Sequence, residues 1–298
     1  MMNRSIYRAL LAFGIVVSMC TACLGQGRVT ILTESFTRWP KLKPDWGYAA
    51  LVEYGGKRIL FDAGDNIALL KENVSSLNVD LTHLDMVVIS NAQGEFISGL
   101  RWILEMNPKV TLYVPDDAMF RGQPVPPHLL TEDTEPNLPQ EQRYFRGDPA
   151  LVTTMGLAYS DTKMTVVRGG ASVAPGIRLV TTMIKEEPHR GQHEVSMVLE
   201  TDKGPVIFVG GSEPGVTNIL ATVMEGAATP QVSMLFGGLH LIGRRDEEID
   251  STLDALENRF HVQRMAAGHC TGEHAFLKIH QRWKKNDVYA GLGETIAF

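Results

Sequence analysis

The sequence predicts an α/β protein built as a sandwich of two sheets with helices outside. Three observations lead there: two β-rich halves that follow the same plan, nearly continuous apolar runs of the kind that mark strands buried on both faces, and amphipathic stretches of helical period between them.

Taken in order, "RVTILTES" (28–35) reads as a strand. "YAALVEYGGKRILFDAG" (48–64) reads as a hairpin turning at Gly55 and Gly56, its arms rich in Val, Leu, Ile and aromatics. Asp62 and Gly64 end that hairpin and open a helix over 66–77. "LDMVVIS" (84–90) is an apolar run suited to a strand covered on both faces, followed by a helix over 97–106 and the strand "KVTLYVP" (109–115). From 121 to 148 the chain is rich in Pro, Glu and Gln with little periodicity, which predicts a long exposed excursion within a single domain spanning 23–298. "KGPVIFVGGSEPG" (203–215) then echoes "GKRILFDAGDN" (56–66): a glycine-led turn, an apolar strand, a glycine at its end, then a helix. "VSMLFGGLHL" (232–241) is another buried strand. Ile249, Leu253, Leu256 and Phe260 share one helical face, and "RMAAGHCTGEHAFLKIHQRW" (264–283) gives a last strand, loop and helix.

Composition narrows the function. With 44% hydrophobic and 21% charged residues the chain is of ordinary globular type, and its formal net charge of −6 with scattered Lys and Arg excludes nucleic acid as an expected partner. Arg4 and Arg8 precede an uncharged stretch over 9–19, and small residues lead to Cys23. This is the pattern of a signal peptide over 1–22, and it predicts an exported, periplasmic protein. Cys23 is the expected lipidation site, which would make the membrane a partner through a lipid anchor; cleavage and release is the alternative. Cys270 alone then remains deep in the mature chain, so packing must stabilise the fold without an internal disulfide framework.

Polar residues gather at four predicted strand ends: Asp62 with Asp65; Asn91 with Gln93 and Glu95; Ser212 with Glu213; His240 with His269. Open α/β sheets bind ligands outside strand ends, so these loops are expected to converge. "ILFDAG", "LDMVVISNAQGEFISGL", "KGPVIFVGGSEPGVTNIL", "FGGLHL" and "GHCTGEHA", in this order, resemble the metallo-β-lactamase superfamily, and most of all its branch of dihydropterin ribofuranosylaminobenzene phosphate synthase-like proteins. The resemblance covers essentially everything after the signal and implies a four-layer αββα sandwich.

In that branch the motifs read Ser-His-x-His-x-Asp-His-x-x-Gly-Leu, Gly-Cys-Ser-His-x-Gly, Gly-Gly-Phe-His-Leu and His-Cys-Thr-Gly. Here Ser90, Gly99 and Leu100 match, but Asn91 and Gln93 stand at the first two His, Glu95 at the Asp and Phe96 at the third His. Gly210, Ser212, Pro214 and Gly215 fit, whereas Gly211 replaces the Cys and Glu213 the His. His240, His269, Cys270, Thr271 and Gly272 are kept.

Zinc catalysis needs about three good His, Cys or carboxylate donors plus a water, and amide oxygens are poor substitutes. The resemblance therefore implies a divergent centre and argues against dinuclear zinc. Two readings keep the pocket. In the favoured one Asn91, Gln93, Glu95, Phe96, Glu213, His240 and His269 bind a small molecule without metal, because an aromatic among ligands suits stacking better than coordination. In the other, Glu95, Glu213, His240 and His269 hold a single divalent ion and serve a rewired hydrolase, with one carboxylate as base. Reuse of the domain for protein–protein contact is a third, weaker reading.

Asp62 resembles the family's structural aspartate and is expected to be a buried, hydrogen-bonded turn residue. Glu34 ends the first strand near the expected pocket, with a solvated turn residue as the alternative reading. His189 and His193, four apart, would share a helical face as metal ligands, but Pro188 and Gly191 argue against that helix and Val195 onward reads as a strand; the pair reads as solvated loop residues, with a loop metal pair as the alternative. His83, His128, His261, His274 and His280 are assigned to the surface. Cys270 is read as packed, and "GGSEPG" lacks the spacing of a nucleophile elbow.

Overall fold

Residues 28–61 form the expected strand and hairpin. β1 (Arg28–Thr33), β2 (Ala49–Tyr54) and β3 (Lys57–Phe61) run antiparallel, and Gly55 and Gly56 turn the hairpin with φ of 58° and 73°. The computed structural model describes residues 26–121, 123–124, 135–148, 154–155, 163–187, 189–225 and 231–298. The predicted signal, Cys23, His128 and part of the 121–148 excursion lie outside the described residues.

Beyond β3 the chain crosses to parallel strands through helices. Asn66 caps α1 (Ile67–Ser76) by accepting the backbone N–H of Ala68 at 2.9 Å, and β4 (Met86–Val88) follows beside β3. The predicted 97–106 helix is instead two pieces, α2 (Gly94–Ile97) and α3 (Leu100–Met106). The break falls at Gly99, where a Cβ would lie 2.2 Å from the Ala63 carbonyl oxygen, so the helix start is pressed directly onto the turn after β3. β5 (Thr111–Pro115) comes next, then α4 (Ala118–Arg121), the short pair β6 (Gln123–Pro124) and β7 (Thr154–Met155), and β8 (Lys163–Val167).

The second sheet contains β9 (Gly170–Ala174), β10 (Ile177–Met183), β11 (His193–Leu199), β12 (Val206–Phe208), β13 (Met234–Gly238) and β14 (Arg264–Gly268). Its helices are α5 (Val216–Val223), α6 (Asp246–Asp254) and α7 (Glu273–Trp283). With β15 (Thr295–Ala297) against β1, the sheet orders are β15-β1-β2-β3-β4-β5-β8 and β14-β13-β12-β11-β10-β9. The repeat read from sequence is real in topology. β1, β2 and β3 form an antiparallel meander continued by parallel β4 and β5; β10, β11 and β12 do the same, continued by β13 and β14.

Alternation within strands explains the continuous apolar runs. In β12 and β13, Val206, Phe208, Met234 and Phe236 face the core between the sheets, whereas Ile207 and Leu235 face the helices. Phe208 and Phe236 stack at 4.6 Å in the first core, and Phe61 reaches Phe208 from the opposite sheet at 6.0 Å. Ile249, Leu253, Leu256 and Phe260 are all buried in the second core, as their helical spacing predicts. Among the described residues no helix is long and apolar enough to cross a membrane.

Candidate functional site

Each strand that carries a predicted site residue ends at the same edge of the sandwich. Four non-glycine residues at these ends adopt left-handed backbone: Asp62 after β3 (φ 60°), Ser212 after β12 (57°), His240 after β13 (55°) and His269 after β14 (47°). Such conformations cost roughly 1–3 kcal/mol each and persist where surrounding contacts hold them. Those contacts are present. Asp62 Oδ1 accepts the Ser90 N–H at 2.7 Å, Ser212 Oγ donates to the Gly238 carbonyl at 2.5 Å, and the His269 N–H is bound by Glu34 at 2.9 Å. The two sheets meet closely here: a Cβ on Gly210 would lie 2.1 Å from Ser90 Oγ.

Buried carboxylates brace these loops. Glu34 is fully buried beside His269, which rules out the solvated-turn alternative; it accepts from the backbone of Ser35 and His269. Burial raises its pKa to about 7, against the lowering effect of those donors. Glu194, also fully buried, accepts the N–H groups of Gly210 (3.3 Å), Ser212 (3.0 Å) and Glu213 (2.8 Å), and burial raises its pKa likewise to about 7. Sequence reasoning missed Glu194, although a charged residue inside the apolar run of β11 was a visible signal. Asp62 is buried as expected, and burial lifts its carboxyl well above the ordinary range.

The loop after β4 separates its polar residues. Asn91 is buried and its Oδ1 accepts the Gln93 N–H at 2.9 Å, while its Nδ2 has no hydrogen-bond partner among the described residues. Gln93 instead faces a cleft of about 280 Å³, together with Glu186, His189, Glu213, His240 and Arg244. His189 is half-buried at this cleft rather than solvated, and His193 is half-buried as the first residue of β11. Glu95 is half-buried on α2. Phe96 is fully buried: its ring edge meets His269 at 5.1 Å and faces Gly211, where a Cβ would lie 3.3 Å from Phe96 Cζ.

Glu213 Oε1 lies 3.3 Å from His240 Nδ1, an ion-pair distance whose angles fall short of a hydrogen bond. His269 is buried between Phe96 and Trp46, each 5.1 Å away. Desolvation lowers its pKa to about 4; nearby His240 adds to this and the Trp46 backbone opposes it. The Cys270 thiol is buried, pushed above its ordinary pKa by desolvation, and donates to the Gly211 carbonyl at 3.1 Å. This packed thiol is not a poised nucleophile.

Two of the expected site residues are poor zinc donors. Phe96 has no donor atom, and the Asn91 oxygen is committed to a backbone N–H. Among the described residues no three His, Cys, Asp or Glu side chains are placed to hold an ion.

No family model matches this chain. Two proteins of Methanocaldococcus jannaschii are similar in sequence. One, named an uncharacterized protein MJ0448, is 25% identical over 272 residues, covering 90% of this chain and 99% of the relative. The other, named 7,8-dihydropterin-6-methyl-4-(beta-D-ribofuranosyl)-aminobenzene-5'-phosphate synthase, is 24% identical over 257 residues, covering 81% of this chain and 85% of the relative. The solved structure of Tm1679, described as a metal-dependent hydrolase of the beta-lactamase superfamily, superposes with a TM-score of 0.65 at 20% identity, covering 91% of this chain and 98% of that one. The metallo-beta-lactamase fold protein YhfI from Bacillus subtilis gives 0.52 at 11% identity, covering 92% and 100%. At such identities these structures establish architecture, and they agree with the αββα expectation.

Proposed function

We propose that this chain, which has the metallo-β-lactamase fold, binds a small molecule without a catalytic metal centre. Gln93, Glu213 and His240 form the wall of the binding cleft, and Asn91, Glu95, Phe96 and His269 support it. The observation that carries this reading is Phe96. A fully buried ring in contact with His269 and Gly211 stands where the resembling branch has a ligand, and an aromatic there serves packing, not coordination.

The test is metal analysis and native mass spectrometry of the mature protein purified without chelator, followed by thermal-shift screening against charged small metabolites. The reading expects no stoichiometric ion, and a Tm rise with at least one compound that is lost in Glu213→Gln. One equivalent of tightly held ion, lost in His269→Ala, would sink it.

The Glu213–His240 pair favours a second reading, in which Glu95, Glu213, His240 and His269 hold one divalent ion for a hydrolase. Among the described residues these four are not gathered as an ion would need, so this reading requires them to draw together. We further propose that residues 1–22 direct export and that Cys23 anchors the protein to a membrane facing the periplasm, so that its ligand is met outside the cytoplasm. Incorporation of labelled palmitate that Cys23→Ala does not abolish would contradict the anchor.

A further inference from the structure

His269 is the point where the loops of the two sheets meet. It follows β14 of the second sheet, yet both rings that flank it belong to the first: Trp46 from the β1–β2 loop and Phe96 from α2, each with its centroid 5.1 Å from the imidazole. Glu34, at the end of β1, binds the His269 N–H with both carboxylate oxygens at 2.9 Å. These first-sheet residues are themselves joined, since the Asp45 N–H reaches the Glu34 carbonyl, the Tyr48 N–H the Glu95 carbonyl and the Ala63 N–H the Phe96 carbonyl, at 3.1, 3.1 and 2.7 Å. On the other side Cys270 Sγ holds the Gly211 carbonyl, and Gly211 lies against the Phe96 ring.

A structural metal ion gives a fold this kind of cross-link by gathering ligands from several loops at once. Here a side-chain assembly joins loops of both sheets, and among the described residues no three His, Cys, Asp or Glu side chains are placed to hold an ion. We propose that the Trp46–His269–Phe96 ring cluster, anchored by Glu34, is a clasp that replaces a metal ion as the tie between the strand-end loops of the two sheets. It rests on the metal-free reading above but not on ligand binding. Edge-on and tilted ring contacts are directional, so the clasp fixes the orientation of the imidazole as well as its position.

The experiment is hydrogen–deuterium exchange on the full mature chain, with and without EDTA, for wild type, Phe96→Leu and Trp46→Ala. Trp46 is 44% exposed, so its removal leaves the core intact and guards against a variant that simply fails to fold. Wild-type protection of 268–272 and 44–48 should be the same with and without chelator. Both variants should lose about tenfold protection at 268–272, while α6 on the far side of the second sheet is unchanged. Unchanged protection at 268–272 in both variants overturns the clasp and leaves the metal-free reading standing. Loss of wild-type protection on adding EDTA overturns both.

Discussion

Glu34 and His269, 235 positions apart in sequence, are joined by two hydrogen bonds in which both carboxylate oxygens accept one backbone N–H at 2.9 Å. The contact binds the end of the first strand to the loop after the last strand of the other sheet. It places a carboxylate where water cannot solvate it.

Stability should therefore fall as pH rises. Glu34 and Glu194 titrate near 7 when folded, against 4.5 ordinarily. Between those values the folded state keeps protons that the unfolded chain releases, so their contribution is fully present below pH 4.5 and is lost as pH climbs to about 7. Each group is worth about 1–3 kcal/mol over the window. Urea unfolding at pH 5 and pH 8 should show the decline, and Glu34→Gln and Glu194→Gln should each flatten it. Equal slopes in wild type and both variants would refute the assignment.

At Asp62 side chain and backbone can be tested separately. Asp62→Asn keeps an acceptor for the Ser90 N–H and tolerates a φ of 60°. Asp62→Ala leaves that buried N–H unpaired and places alanine in left-handed backbone, at a cost of about 2–4 kcal/mol. Chemical denaturation should rank alanine well below asparagine; equivalence would mean that the hydrogen bond matters little.

Cys270 should resist alkylation in the native protein. Its thiol is buried, held as the neutral form and committed to the Gly211 carbonyl. Peptide-resolved mass spectrometry after iodoacetamide treatment should find Cys270 unmodified until denaturant is added. Rapid native labelling would show that the loop opens readily.

On α6 and α7, Lys278 bridges Asp246 and Asp250, and Arg282 bridges Asp250 and Asp254. These pairs are at least partly exposed, so they are weak and screened by salt. Arg282→Ala should lower the Tm slightly in dilute buffer, with the difference vanishing at about 1 M salt. A deficit that persists in high salt would point to lost packing of the arginine stem.

Much of this molecule is legible in its sequence because strand and helix periods are local signals. The Gly55–Gly56 hairpin, the buried face of Ile249, Leu253, Leu256 and Phe260, and the kinship of β3 with β12 all follow from spacing. β8, β9 and β10 leave no such signal: β8 and β9 bury one residue and none, and β10, though mostly buried, interrupts its apolar residues with Arg178, Thr181 and Thr182. At the site, Asp62 could be placed from its position after a strand. The role of Glu34 could not, because its partner His269 lies 235 positions away; Glu194 left a signal as a charge within an apolar run, but its partners sit on the loop after β12, which only the fold brings to it. Nor could Trp46 be foreseen beside His269, since the loop carrying it has no period to read.

Asp62, Ser212, His240 and His269 keep left-handed backbone that glycine would adopt without steric penalty. At Asp62 and Ser212 the side chain offsets that penalty by binding the Ser90 N–H and the Gly238 carbonyl, whereas Nδ1 of His240 and of His269 has no hydrogen-bond partner among the described residues. Two imidazoles, a hydroxyl and a carboxylate thus stand in left-handed backbone at one edge of the sandwich. Strain carried by two imidazoles whose Nδ1 gains no hydrogen bond in return is what a site held ready for a ligand would show, and it is concentrated at this edge.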